Sequence, residues 1–497
     1  MNDDAVLALR QYVESARWFG GKGREFTVVD VRRAAVLDAA DGGPRVGFEL
    51  LTVRYTADET ETYQVPLAFY PEEQERLEHA LVGSWKDDDL GVVHAYDALH
   101  DREATALWLQ AFGAAADGEV TAGDLTFHRL PGHDLDLDTH SALFSGEQSN
   151  SSLAFGNDSL MKVFRKVTPG QNPDIVIHRA LTEHGSDHVA ALYGWLELNV
   201  DGAEPMHLAM LQQYLRTASD GWDLALASVR DLVAEADLHA DEVGGDFAGE
   251  AERLGLATAE VHDVLAERFP TETWDGSDLA GLSEAMLGRL DAALPVVPEL
   301  EPHADALRQT FRAVAELGAA GASAAAQRVH GDFHLGQTLR TSLGWKLVDF
   351  EGEPAKPLAE RVRPDLVWRD VAGMLRSFDY AAHAVMSDFE ADEDTNRQLA
   401  FRAAEWADRN QTAFLRGYAD TSGRTADQQP PGLSDDQQLV LRAYVADKAV
   451  YEAVYESRNR PTWLPIPLGA VARITRTSTS PAPGPATGPA NTMEAHR

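Results

Sequence analysis

The run His330-Gly331-Asp332-Phe333-His334-Leu335-Gly336-Gln337, followed by Leu347-Val348-Asp349-Phe350-Glu351, constrains this chain more than any other feature. It sets out an aspartate, an amide five residues on, and a second aspartate at the end of a short apolar strand. Phosphoryl transfer needs those parts: a carboxylate to orient and deprotonate the attacking hydroxyl, and oxygen ligands to hold magnesium against the phosphates. Two other readings compete. Asp332 and Asp349 could cap loops while the histidines make core hydrogen bonds, but the pairing of His-Gly-Asp with a strand ending in Asp349 argues against it. A zinc site on His330 and His334 is opposed by Gly331 between them and by the lack of a His-Glu-x-x-His pattern.

The loop-strand-loop order resembles the catalytic and metal-binding loops of the protein-kinase-like fold, in the variant of aminoglycoside and choline phosphotransferases where His-Gly-Asp replaces His-Arg-Asp. By that resemblance Asp332 is the catalytic base, Gln337 takes the place of the metal-binding amide and Asp349 is the main Mg2+ ligand. Gln337 departs from the more usual Asn by one methylene.

The nucleotide is expected in a strand-rich unit upstream. Lys162, in Leu160-Met161-Lys162-Val163-Phe164, has apolar neighbours, follows a loop and precedes a helix, which suits a lysine pairing with the phosphates of ATP. Asp174, near the start of that helix, is its candidate partner. The polar loop 145–152, with Gln148, Ser149 and Asn150, offers hydroxyl, amide and backbone donors to phosphate oxygens. Gln213 and Tyr214, at the exit of an apolar strand, are the candidate adenine hinge.

Around these motifs the chain divides into an N-terminal unit over 1–130, a small ATP lobe over 131–215, a helical lobe over 216–475 and a disordered tail over 476–497. Segments 26–37, 46–55 and 60–70 read as antiparallel strands and 99–116 as a helix. Segments 151–155 and 160–164 read as a hairpin. Segment 173–184 reads as a helix with Asn172 as cap and Pro173 in its first turn. Segments 189–196 and 207–214 read as strands. Beyond them, 247–268, 283–294 and 304–317 carry helical spacing, and 327–350 is strand-like. The tail is Ser, Thr, Pro, Gly and Ala, with little to bury.

Composition narrows the function classes. With 43 basic against 80 acidic residues, the surface repels nucleic acid and anionic membranes, so neither is an expected partner. Cysteine is absent, which rules out disulfides and thiolate metal sites. No apolar run is long enough to span a membrane, and the first residues do not form a signal peptide. A cytoplasmic monomer acting on small molecules is expected.

Several segments go beyond a generic kinase. They include Lys162-Val163-Phe164-Arg165, Asn172-Pro173-Asp174, residues 243–250, 329–337 and 349–354, Arg369-Asp370-Val371-Ala372-Gly373, Asp447-Lys448-Ala449-Val450-Tyr451-Glu452 and Arg458-Asn459-Arg460-Pro461. These closely resemble actinobacterial maltokinases, and Arg17-Trp18-Phe19-Gly20-Gly21-Lys22-Gly23-Arg24 looks like the start of that family's cap domain. The resemblance implies an α+β, protein-kinase-like two-lobed fold with an additional N-terminal cap. It also implies ATP-dependent phosphorylation of maltose at its anomeric hydroxyl, giving α-maltose 1-phosphate for α-glucan and glycogen synthesis. Glucosamine kinases, making glucosamine 6-phosphate, lie in the same neighbourhood and are the alternative. Sugars bind through polar side chains and a stacked aromatic plane, and Tyr451, Glu452, Glu456, Arg458 and Trp463 supply that mixture. Tyr451, Tyr455 and Arg458 share one helical face by spacing, which a core-facing stripe would also produce. Glu452 and Glu456 suit an ammonium group, whereas Lys448, one turn earlier, opposes it.

Overall fold

The computed structural model describes residues 2–39, 42–56, 59–116, 118–144, 149–200, 202–235, 238–353, 356–386, 393–421 and 432–479. Helix α1 (Asp3–Ser15) starts at Asn2, whose side chain accepts the Ala5 N–H, and it buries Ala5, Leu9 and Val13 at four-residue spacing. Strands β1 (Phe26–Asp38), β2 (Arg45–Tyr55) and β3 (Thr60–Tyr70) follow as expected. Strands β4 (Leu81–Asp87) and β5 (Gly91–Asp97) complete the cap sheet in the order β1-β2-β3-β5-β4. That pair escapes a reading by alternation because Leu81 and Val92 are exposed and an acidic run separates the strands.

Helix α2 (Arg102–Ala114) leads into β6 (Glu119–Ala122), β7 (Leu125–Arg129), β8 (Ser141–Leu143), β9 (Asn150–Phe155), β10 (Ser159–Phe164) and β11 (Lys166–Val167). Helix α3 (Pro173–His184), β12 (Leu192–Leu198) and β13 (Met206–Gln213) close this unit. Its sheet runs β6-β7-β12-β13-β10-β9-β8. The boundary expected at residue 130 therefore moves. β6 and β7 hydrogen-bond into the second sheet, with Leu125 and Phe127 in its core, so the cap sheet ends at Asp97. In the other direction β11 pairs with β3. One face of the cap sheet packs on α2, where Phe48 stacks on Trp108 at 4.8 Å.

The third unit opens with β14 (Ser219–Asp220), α4 (Gly221–Ala234) and α5 (Ala248–Arg268). Then come β15 (Glu272–Trp274), α6 (Gly276–Ala293), α7 (Ala304–Ala319), β16 (Ala324–Ala326), β17 (Thr338–Thr341) and β18 (Gly344–Leu347). It ends with α8 (Leu358–Arg361), α9 (Trp368–Met386), α10 (Glu393–Thr421), α11 (Asp435–Asn459) and α12 (Pro465–Thr479). Glycines bring α5 and α10 into backbone contact. A Cβ on Gly255 would lie 2.1 Å from Phe414 O, and one on Gly417 would lie 2.0 Å from Glu252 O. The tail expected to be disordered from 476 begins as helix, since α12 runs to Thr479. Just before it, buried Thr475 donates to Val471 O at 2.9 Å and meets His303 Nδ1 at 3.0 Å. Residues 480–497 lie outside the described residues. Among the described residues no helix is long and apolar enough to cross a membrane.

Candidate active site

The 330–337 loop hangs from Asp370 on α9. One carboxylate oxygen accepts the His330 N–H at 2.7 Å and the other the Gly331 N–H at 2.8 Å. Burial pushes this carboxyl up, but His262, 3.1 Å away, and the loop's own groups outweigh burial and hold it below the ordinary range. Gly331 has φ +87°, which favours glycine, and an added Cβ would lie 3.3 Å from Gly352 Cα. His330 Nε2 hydrogen-bonds Val348 O at 3.0 Å, tying this loop to the strand end that carries Asp349. Asp332 is left 30% exposed, with the Lys448 ammonium 3.9 Å from its carboxylate.

Asp349 is the only non-glycine with positive φ among the described residues, at 66°. That conformation costs about 1–2 kcal/mol, and such outliers persist where surrounding contacts over-determine them. Here Gln337 Nε2 donates to Asp349 Oδ2 at 3.2 Å, and Lys162 Nζ donates to Oδ1 at 2.6 Å. Lys162 alternates with core-facing Met161 and Val163 on β10, so it projects into the cleft. It also meets Asp174 and Glu351, each at 2.9 Å. Burial alone would depress Lys162, but the three carboxylates outweigh it and hold the ammonium well above the usual lysine range. Asp174 is buried, yet Lys162 and His178 hold it far below the ordinary carboxylate range. Its Oδ1 accepts the Phe350 N–H at 2.9 Å, which ties α3 to the Asp349 segment.

Lys162, Asp174, Asp349 and Gln337 border a cavity of about 320 Å³, with Ser149 and Asn150 at its mouth. Asn150 Nδ2 donates to Glu351 Oε1 at 3.0 Å. Gln148 lies outside the described residues. The expected hinge residues do not line this cavity; Gln212 does. Gln212 pairs with Leu160 and so shares the face that carries Lys162, and its Oε1 is buried without a hydrogen-bond partner. Gln213 instead donates its N–H to Ala191 O at 2.8 Å, and the Tyr214 ring sits 6.0 Å from that of Phe144.

A second cavity, about 530 Å³, lies on the other side of the 330–337 loop, between His334, Lys448 and Trp463. Tyr451, Glu452, Tyr455 and Glu456 line it as α11 turns past. Arg458 does not line it; Arg460 does, stacking 4.5 Å from the Trp463 ring centre. Arg460 Nη2 donates to Glu456 Oε1 at 2.7 Å, and the Tyr380 hydroxyl donates to the same atom at 3.0 Å. Arg376 Nε donates to Glu452 Oε2 at 2.8 Å. Even so, burial pushes the Glu452 carboxyl above its ordinary range. His334 is depressed by burial, against the pull of Asp332.

The chain that carries this arrangement is similar to known proteins. The maltokinase N-terminal cap domain family matches residues 12–101. Over 432 residues the chain is 31% identical to a glucosamine kinase of Streptacidiphilus jiangxiensis, covering 81% of this chain and 94% of that protein. The chain belongs to the glucosamine kinase family. Another relative, a glucosamine kinase of Mycolicibacterium smegmatis, is 26% identical over 341 residues, covering 67% of this chain and 79% of that protein. The solved structure of a glucosamine kinase in complex with glucosamine, ADP and inorganic phosphate shares the fold, with a TM-score of 0.65 at 24% identity. That likeness covers 95% of this chain and 99% of the other. As a member of the glucosamine kinase family the protein is a carbohydrate phosphotransferase with an N-terminal cap and a kinase-like core.

Residues with no role expected from the sequence also belong to this site, among them Glu351, Arg460, Asp370, Arg376 and Tyr380. Glu351 was legible as the acid two residues after Asp349. Arg460 and Asp370 lie in segments that carry the family resemblance, but nothing in those segments gives them a role, because α11 and α9 reach the site only by packing.

Proposed function

We propose that this protein transfers the γ-phosphoryl group of ATP to a hydroxyl of glucosamine, giving glucosamine 6-phosphate. The observation that carries the reading is Glu452: buried where it lines the cavity that Phe333 and His334 also line, it bonds Arg376, yet burial still pushes its carboxyl up. A sugar ammonium in that pocket adds to the positive charge that Arg376 and Lys448 bring to Glu452, while Lys448 also lies 3.9 Å from Asp332. The relatives named above, both glucosamine kinases, support the same substrate.

Asp332 orients the attacking hydroxyl and takes its proton as the sugar oxygen bonds to phosphorus and the bond to the ADP oxygen breaks. Lys162 pairs with the phosphates, and Ser149 and Asn150 present donors to them. The carboxylate oxygens of Asp174, Asp349 and Glu351 lie within 4.8 Å of one another, and oxygen donors of this kind suit Mg2+. Asp349, Glu351 and Gln337 would hold the ion. When bound, the ion offsets phosphate charge.

Maltose phosphorylation at the anomeric hydroxyl is the second reading, supported by the match of residues 12–101 to the maltokinase cap. An ADP-release assay with ATP and Mg2+ separates the two. Glucosamine is expected to turn over and maltose to be a poor substrate; turnover of maltose with none of glucosamine would reverse the assignment.

A further inference from the structure

Arg165 follows β10 directly and joins the cap to the strand that bears Lys162. Its side chain is 2% exposed. Nη2 donates to Asp97 Oδ2 of the cap at 2.9 Å, and Nε donates to Ser151 Oγ of β9 at 2.9 Å. The guanidinium lies 4.7 Å from the ring centre of Trp18, in the motif that opens the cap. Tyr12 of α1 hydrogen-bonds the same Asp97 oxygen. The main chain is gripped as well: the Gln64 N–H of β3 donates to Arg165 O at 2.8 Å, and Gln64 Nε2 donates to Phe164 O at 2.7 Å. Burial pushes the Asp97 carboxyl up, but Arg165, Tyr12 and the Leu99 N–H outweigh it and hold it below the ordinary range.

Arg165 Nη1 is buried without a hydrogen-bond partner. A buried guanidinium with an unused donor is a poor stabiliser compared with an apolar side chain of similar volume. What Arg165 does, and an apolar residue cannot, is join Asp97 to Ser151. Ser151 is opposite Val163, and Asn150 is opposite Phe164, at the end of the β9–β10 pair where Asn150 reaches Glu351. The clamp therefore closes across the strand pair at its nucleotide end.

We propose that Arg165 is a positioning residue through which the cap sets the β9–β10 pair for the nucleotide phosphates. This rests on the reading that Lys162 and Asn150 face ATP. On that reading a displaced strand pair binds ATP less well, so the cap contributes to the nucleotide site without touching the nucleotide.

The test is steady-state kinetics on the full chain. Ser151→Ala removes the hydroxyl that Arg165 holds, and Asp97→Asn weakens the cap end of the clamp. Each is expected to raise KM for ATP about tenfold, the effect of losing one charge-assisted hydrogen bond, with kcat and KM for the sugar unchanged. The double variant is expected to be no worse than the more affected single variant, since both break one linkage. Ser151→Thr, which keeps the hydroxyl, is expected to restore KM for ATP. Unchanged KM for ATP in Ser151→Ala, additive effects in the double variant, or a parallel fall in kcat, sugar affinity and Tm would overturn the proposal. Lys162→Met serves as the control for the nucleotide site: if it leaves KM for ATP unchanged, the location of the nucleotide is wrong. If it raises KM while Ser151→Ala does not, only the clamp fails.

Discussion

The Lys162 ammonium lies 2.6 Å from the Asp349 carboxylate, joining a strand of the small lobe to the strand end that closes the catalytic segment of the helical lobe. Asp174 and Glu351 complete the cluster at 2.9 Å each, so one cation is shared by three acids. Such a cluster is electrostatically incomplete, and it makes Lys162 a brace between lobes.

Lys162→Met removes that brace. Asp174 is 1% exposed and would be left without its ammonium, a loss of about 3 kcal/mol typical of a broken buried pair. A fall in Tm of several degrees is expected, together with a rise in KM for ATP. Thermal melts and initial rates check this, and an unshifted Tm would show that His178 and the Phe350 N–H suffice for Asp174.

Asp332→Asn keeps the shape of the loop and removes the base. Turnover is expected to fall by about 10²–10⁴-fold, with ADP affinity by calorimetry unchanged. Turnover close to that of the parent would remove Asp332 from proton transfer.

Gln337→Ala deletes the amide that donates to Asp349 at 3.2 Å. The Mg2+ concentration giving half-maximal rate is expected to rise, with the rate largely recovered at saturating Mg2+. An unaltered Mg2+ titration would place Gln337 outside the metal site.

Arg460 and Arg458 separate the observed pocket from the one expected on helical spacing. Arg460→Ala breaks the contact with Glu456 and the stack on Trp463, and is expected to raise KM for the sugar. Arg458→Ala, exposed and away from the cavity, is expected to leave it unchanged. The opposite ranking in a sugar titration would contradict the pocket assignment.

His207 makes the fold sensitive to acid. Its Nδ1 accepts the Asn172 N–H at 3.0 Å, at the cap of the helix that carries Asp174. Burial depresses its pKa, against Glu197, with His128 adding to the depression. The unfolded chain therefore binds this proton first. The contribution of His207 is intact above about pH 6.5 and is lost at up to about 1.4 kcal/mol per pH unit below it. Tm is expected to fall between pH 7.5 and 5.5, and to fall less in His207→Gln. Equal slopes in the two proteins would exclude His207 as the titrating group.

Asp332, Gln337, Asp349 and Lys162 can be singled out without coordinates because each sits in a short local unit: a loop, the turn after it, a strand end and an alternating strand. The same holds for β1 to β3 and for α3 with its Asn172 cap, where neighbouring residues carry the whole signal. Partners distant along the chain are another matter. Nothing local indicates that Asp370 holds the 330–337 loop, that Arg460 rather than Arg458 lines the cavity beside Trp463, or that β6 and β7 leave the cap for the second sheet. Helix rotation, sheet order and the burial of Arg165 between two units arise from how apolar faces pack against each other. That packing depends on the chain as a whole, so only the folded arrangement decides which charges meet.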